Sequence, residues 1–146
     1  MPRYFTLAEA RAALPQVGRS IRDAVQAKSR YSEAEKTLQD LAQRILMMGG
    51  LAVDTVAAEA WKSQYDVNAQ TLKTCMDGIE EMGVLVKDLD IGLVDFPTLL
   101  KGEEVYLCWR MDEGDIDHWH GIHEGFSGRK AIDPDFIRNH RGDGVA

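Results

Sequence analysis

The order of apolar and polar positions divides the chain at Gly83. Before it, apolar residues recur with a helical period; after it, they alternate or run in short blocks. Thr6-Leu7-Ala8-Glu9 opens the helical part as a capping box, in which the Thr6 hydroxyl and the Glu9 carboxylate each accept from the other's backbone N–H. A helix therefore begins at Leu7. Pro15 lacks an N–H and crowds the turn before it. The pattern predicts a short helix over about 7–13, then a restart with Pro15 at its first position. A kinked continuous helix is the alternative.

From Val17 the period is sustained. Val17, Ala24, Tyr31, Leu38 and Ile45 recur every seven residues, with Ile21, Ala42 and, less well, Lys28 and Glu35 between them. Two such stripes mark a coiled-coil-like seam. Gly49-Gly50 stops the helix, and a second one starts at Asp54 or slightly earlier at Leu51. Ala58, Trp61, Tyr65, Leu72, Cys75, Ile79 and Met82 share one of its faces, with Asn68 interrupting the seam as a register marker. Helices at about 16–48 and 53–82, matched in length and joined by a tight turn, predict a long antiparallel hairpin.

Past Gly83 the period shortens. Val84-Leu85-Val86 and Leu93-Val94 are short β-type runs. Glu104 to Arg110 alternates, with Val105, Leu107 and Trp109 on one side and Glu104, Tyr106, Cys108 and Arg110 on the other. Asp117 to His120 offers a further strand, and Pro97 and Lys101-Gly102 punctuate the stretch. The expectation is an antiparallel sheet of three or four strands beside the hairpin, an α+β class. It is read as one domain over 1–146: hairpin to 83, β region over 84–134, and a polar, frayed tail over 135–146.

Composition narrows the function classes. The 146 residues carry a net charge of −7. That balance argues against a phosphate-neutralising nucleic-acid surface and against docking on anionic lipid. No apolar run reaches the ~20 residues that span a bilayer. The first residues lack a charged-then-apolar leader pattern. Cys75 and Cys108 form no framework and no paired motif, so both are read as reduced thiols of a cytoplasmic protein.

Candidate chemistry gathers in the β region. Asp88, Asp90 and Asp95 could hold a hard cation, share a proton, or simply make turns, with Lys87 neutralising Asp88. His118 and His120 share a strand face, with His123 close by; adding Cys108 and a carboxylate gives a set of zinc ligands, although the spacing fits no established metal motif. Ordinary polar histidines are the alternative. Arg129 follows Gly125-Phe126-Ser127-Gly128, where a guanidinium clamps a carboxylate or phosphate, or else makes a structural salt bridge. Trp109 and Trp119 read as core. Cys108, on the polar-alternating face, would be a nucleophile only with a base such as His120 in reach. Cys75, on the apolar seam, reads as inert packing.

These stretches resemble the bacterial family of uncharacterised proteins DUF2203. The resemblance begins with Phe5-Thr6-Leu7-Ala8-Glu9-Ala10 and Leu14-Pro15. It is most specific in Lys87 to Pro97, Val105-Tyr106-Leu107-Cys108-Trp109, and Trp119-His120 with Gly125-Phe126-Ser127-Gly128-Arg129. The family name supplies no activity. It implies that Lys87, Asp88, Asp95, Cys108, Trp109, His120 and Arg129 belong to characteristic motifs, serving folding or function; the pattern is looser at His118. The expected site lies where the Asp88–Asp95 segment meets Cys108 and His120, with Arg129 at its border. Asp95, Cys108 and His120 are the metal-ligand set, for a divalent ion such as zinc. Apolar residues off the main stripe (Val25, Leu41, Leu46 and Val56) predict a homodimer through the long helices. The preferred function is a non-catalytic interaction or scaffold module. The rival is a small-molecule or metal-dependent enzyme in the β region.

Overall fold

The structure, a computed structural model, describes residues 3–48 and 55–143. The predicted Gly49-Gly50 turn and the second helix's start at Leu51 or Asp54 lie outside the described residues. The elements are α1 (Leu7–Met47), α2 (Thr55–Glu81), β1 (Leu85–Asp88), β2 (Leu93–Leu100), β3 (Glu103–Arg110), β4 (His118–Gly121), β5 (Lys130–Ala131), α3 (Pro134–Asn139) and β6 (His140–Arg141). They make an α+β fold: a long antiparallel helical hairpin, then a small antiparallel sheet. The chain divides into two compact units, Asp23–Cys75 and the combination of Met1–Arg22 with Met76–Ala146. No helix among the described residues is long and apolar enough to cross a membrane.

In the unit Asp23–Cys75, α1 and α2 pair through small and aromatic side chains. Ala24, Ala27 and Ala34 are buried. The Tyr31 and Tyr65 rings stack at 4.5 Å between centroids, and their hydroxyls share a 2.7 Å hydrogen bond. The second stripe of the seam departs from the expected one. It runs through Ala27, Ala34 and Leu41, whereas Glu35 and Ala42 are exposed. The buried row follows Ala24, Tyr31 and Leu38 by three residues, where the expected row followed them by four. Asn68 is buried, but its amide donates to the Gln64 carbonyl of its own helix at 2.7 Å.

The other unit is built on the sheet. Its strand order is β1-β2-β3-β4-β5, with β6 also pairing β2, and every pairing is antiparallel. Six strands replace the expected three or four. The additional strands are the two-residue β5 and β6, and β2 is also longer than expected because it is not interrupted by Pro97. Its carbonyl accepts the Phe5 N–H at 2.7 Å, so the backbone polar groups of this residue point to the outer edge. The missing N–H therefore removes no β2–β3 bond. At the tight turn between β1 and β2, Gly92 takes φ 66°, and a Cβ there would lie 2.6 Å from Met111.

Val94, Phe96, Thr98, Val105, Leu107 and Trp109 are buried on one face of this sheet. Phe5 meets Phe96 edge-on at 5.3 Å, and a Cβ on Gly18 of α1 would lie 3.6 Å from the Trp109 ring. The first turns of α1 contribute Leu7, Ala10, Val17 and Ile21, all buried. These residues lie on both sides of Pro15 and keep α1 continuous from Leu7, which corrects the predicted restart. Burial of one face outweighs a lost hydrogen bond on the other, where Pro15 is exposed.

The terminal segment is also ordered where a frayed tail was expected. Asp133 caps α3 by accepting from the Phe136 N–H at 2.7 Å. Phe136 is buried 5.0 Å from the Trp119 ring, and β6 pairs with Leu99 and Leu100 of β2. One aromatic anchor and an open strand edge hold a segment that is otherwise polar. Because Pro15 is exposed and lacks the N–H that would donate within its helix, Pro15→Ala should stabilise the fold by about 1–3 kcal/mol. Chemical denaturation of both proteins measures this; a loss of stability would show that the proline sets a required bend.

Candidate functional site

The site follows from the register of three strands. Asp95 of β2 stands opposite Cys108 of β3, Cys108 opposite His118 of β4, and Tyr106 opposite His120. Side chains two residues apart share a face, so all five lie on the face that Phe96, Leu107 and Trp109 do not occupy. His120 reaches across β3 to Asp95. Its Nε2 lies 3.0 Å and 3.1 Å from the two carboxylate oxygens. Asp95 and Cys108 are 0% exposed and His120 5%. The ligand atoms of Asp95, Cys108 and His120 fall within 4.8 Å of one another.

The hydrogen bonds define the protonation. His120 Nδ1 lies 2.8 Å from the Gly121 carbonyl, which can only accept, so Nδ1 carries a hydrogen. Nε2 and Asp95 then share one proton between them. Burial pushes the Asp95 carboxyl above its ordinary value, while His120, Cys108 and Lys87 pull it back part of the way. Burial first, and then the adjacent Asp95 charge, push the Cys108 thiol up to about 12 against the pull of Arg129. Both nitrogens of His120 are engaged elsewhere, so His120 is not the base of this thiol; the carboxyl group hydrogen-bonded to it is Asp95.

Arg129 borders the cluster beside Cys108. Its fork is filled by Glu113, with Nη1 donating to Oε1 at 3.0 Å and Nη2 to Oε2 at 2.6 Å. Nη2 also donates to His118 Nδ1 at 2.7 Å, and the guanidinium lies 4.5 Å from the Phe126 ring centroid. Glu113 further accepts the Arg110 N–H at 2.8 Å. Burial opposes the charge on Glu113, yet Arg129 and that N–H hold its carboxyl below the usual value. The salt-bridge alternative, not an open clamp, describes Arg129.

The other expected site residues disperse. Lys87 is exposed, with Nζ 5.0 Å from the Tyr106 ring centroid. Asp88 is exposed and accepts the Asp90 N–H at 3.0 Å, as turn aspartates do. Trp109 belongs to the opposite, apolar face, where its indole donates to the Glu113 carbonyl. His123 lines a separate surface cavity of about 500 Å³ with Glu103, Glu104 and Glu124. Sequence reasoning did not single out Glu113, one of seven acids from Gly102 to Glu124. Nor did it single out Tyr106, whose ring meets His120 edge-on at 5.5 Å. The outward position of Tyr106 in the alternation was the one available signal.

Residues 3–132 match the family model DUF2203, described as an uncharacterized conserved protein. The chain belongs to the DUF2203 family. No curated protein and no solved structure matches it. All seven candidate residues fall inside the DUF2203 match, whereas α3 and β6 lie beyond it.

The thiols of this DUF2203 protein should differ in reactivity. At pH about 8 a thiol raised to about 12 is ionised to roughly one part in ten thousand. Cys108, which is also fully buried, should therefore resist iodoacetamide until the protein unfolds, whereas half-buried Cys75 is alkylated first. Peptide mass spectrometry reads the order, and prompt native labelling of Cys108 would contradict this account of its environment.

Proposed function

We propose that Asp95, Cys108 and His120 bind one divalent transition-metal ion of the zinc class. The observation that carries this reading is the convergence of three buried ligand atoms, one from each of three adjacent strands, within 4.8 Å. A thiolate, an imidazole and a carboxylate together suit zinc better than a hard cation. Two ligands of one tetrahedral ion, each ~2.0–2.1 Å from it, stand about 3.3 Å apart. The 3.0 and 3.1 Å between His120 and Asp95 need open by only a few tenths of an ångström. The Gly121 carbonyl already fixes the tautomer that leaves Nε2 to coordinate.

Charge supports the same reading. A divalent ion would balance a carboxylate and a thiolate, and so offset the cost of burying Asp95. Loading would release the Cys108 proton and the proton shared by His120 and Asp95, so affinity rises with pH. Three protein ligands leave a fourth position for water or a small ligand. The ion would brace β2, β3 and β4.

The test is cobalt(II) titration of untagged, chelator-treated protein. The reading expects one ion per chain, visible bands of a four-coordinate site, a sulfur charge-transfer band, and displacement by zinc. Cys108→Ser should abolish the sulfur band and weaken binding at least about tenfold. A folded wild type that takes up neither metal, or a Cys108→Ser protein that binds equally well, overturns it.

A second reading concerns the helices and is favoured by their exposed apolar side chains. Leu46 is 82% and Val56 75% exposed, with Met47 and Val67 also open. These support the interaction module, with a second copy of this chain as the partner through the long helices. Light scattering at micromolar concentration should give twice the chain mass, falling to the monomer mass in Leu46→Glu/Val56→Glu. A monomeric wild type rejects the homodimer.

A further inference from the structure

The segment beyond the family match is tied to the start of α1 by an imidazole that has to be neutral. His140 Nδ1 lies 2.8 Å from the Ile137 carbonyl and 3.2 Å from the Phe136 carbonyl, so it carries a hydrogen. His140 Nε2 accepts the Leu7 N–H, the first amide of α1, at 2.9 Å. An imidazole that donates at one nitrogen and accepts at the other is uncharged. From these contacts we propose that α3 and β6 form an acid-released strap, with His140 as the group that senses pH. The proposal is independent of the metal reading.

Protonation at Nε2 opposes this contact twice. It removes the lone pair that satisfies Leu7, leaving an N–H facing an N–H. It also adds positive charge at the N-terminus of a 41-residue helix, where the backbone dipoles already present positive potential. Other ties of the strap among the described residues include the β6 pairing with Leu99 and Leu100, the Thr98 hydroxyl on the Arg141 carbonyl, the exchange between Tyr4 and Asp143, and buried Phe136. Release would expose Phe136 and free the outer edge of β2 at Leu99 and Leu100, an unpaired strand edge open to pairing with another chain.

The charged groups on the surrounding elements are known. On α1, Glu9 accepts the Thr6 N–H and would meet a Cβ on Gly142. On the strap, Asp133 caps α3, Arg138 pairs with Asp135, Arg141 follows His140, and Asp143 accepts the Tyr4 N–H. Lys101 follows Leu100, the β2 partner of His140. The substitution His140→Gln leaves every one of these groups in place and removes only the imidazole. Their contribution is therefore separable from that of His140.

The experiment is hydrogen exchange on the full chain between pH about 8 and 5, corrected for the intrinsic pH dependence of exchange. Protection of the Leu7 amide and of residues 134–143 should fall at least about tenfold over this interval. In His140→Gln, whose amide oxygen accepts without titrating, protection should be the same at both ends. A flat wild type overturns the proposal, as does a parallel fall in His140→Gln. If that variant is open at both pH values, the NMR titration of the wild-type His140 ring decides. Ring protonation coincident with loss of protection supports the strap, and protonation while protection persists overturns it.

Discussion

The β2–β3 register governs everything else in the sheet unit. Eight residue pairs, from Leu93 with Arg110 to Leu100 with Glu103, put both strands in one phase. That phase sends Val94, Phe96, Val105, Leu107 and Trp109 to one face and Asp95, Tyr106 and Cys108 to the other. A slip of one residue in β3 would carry Val105, Leu107 and Trp109 to the polar face and turn Glu104, Tyr106, Cys108 and Arg110 toward Phe5 and Phe96. The same pairing that builds the core therefore places Asp95 against Cys108. The site comes at no separate cost in topology. It needs only β4 to add His120 in the phase that Tyr106 dictates.

The helical hairpin and the α+β class were legible because they rest on periodicity, which sequence displays directly. The face of α2 through Trp61, Tyr65, Leu72 and Cys75 is the face that is turned inward. What escaped was decided by tertiary contacts. Pro15 reads as a stop because its local chemistry opposes a helix, and only the burial of Ala10 and Val17 on either side overrides it. Pro97 reads as a break because its carbonyl partner, Phe5, lies some ninety residues earlier. The tail reads as frayed because its one anchor, Phe136, has its partner Trp119 in another strand.

The candidate site was legible at its centre and not at its rim. Cys108 and His120 were named from residue type and strand phase, Asp95 from its cluster of carboxylates and the family resemblance, and phase is what brings the three together. Asp88 failed because β1 and β2 change register between Val86 and Asp88, and the aspartate is consumed by its own turn. Trp109 failed by parity: it is next to Cys108 in sequence and therefore on the opposite face. Glu113 went unnoticed because its role depends on a guanidinium sixteen residues away, and no local pattern encodes that pairing.

Two partly or fully buried carboxylates in this unit are treated in opposite ways, and the contrast bears on what the cluster is for. Glu113 receives both arms of the Arg129 fork and a backbone N–H, which hold it charged against the burial that opposes charge. This is the usual solution for a buried ion pair, complete in itself. Asp95 is more deeply buried, yet it faces an imidazole and a thiol, with Lys87 only as a more distant charge. Its carboxyl is pushed up where that of Glu113 is held down. Arg129 stands at the border of both groups, and its fork goes to Glu113. The sheet thus keeps one carboxylate neutralised by a guanidinium and leaves the other sharing a proton among nitrogen and sulfur donors, the contrast on which the proposed cation site rests.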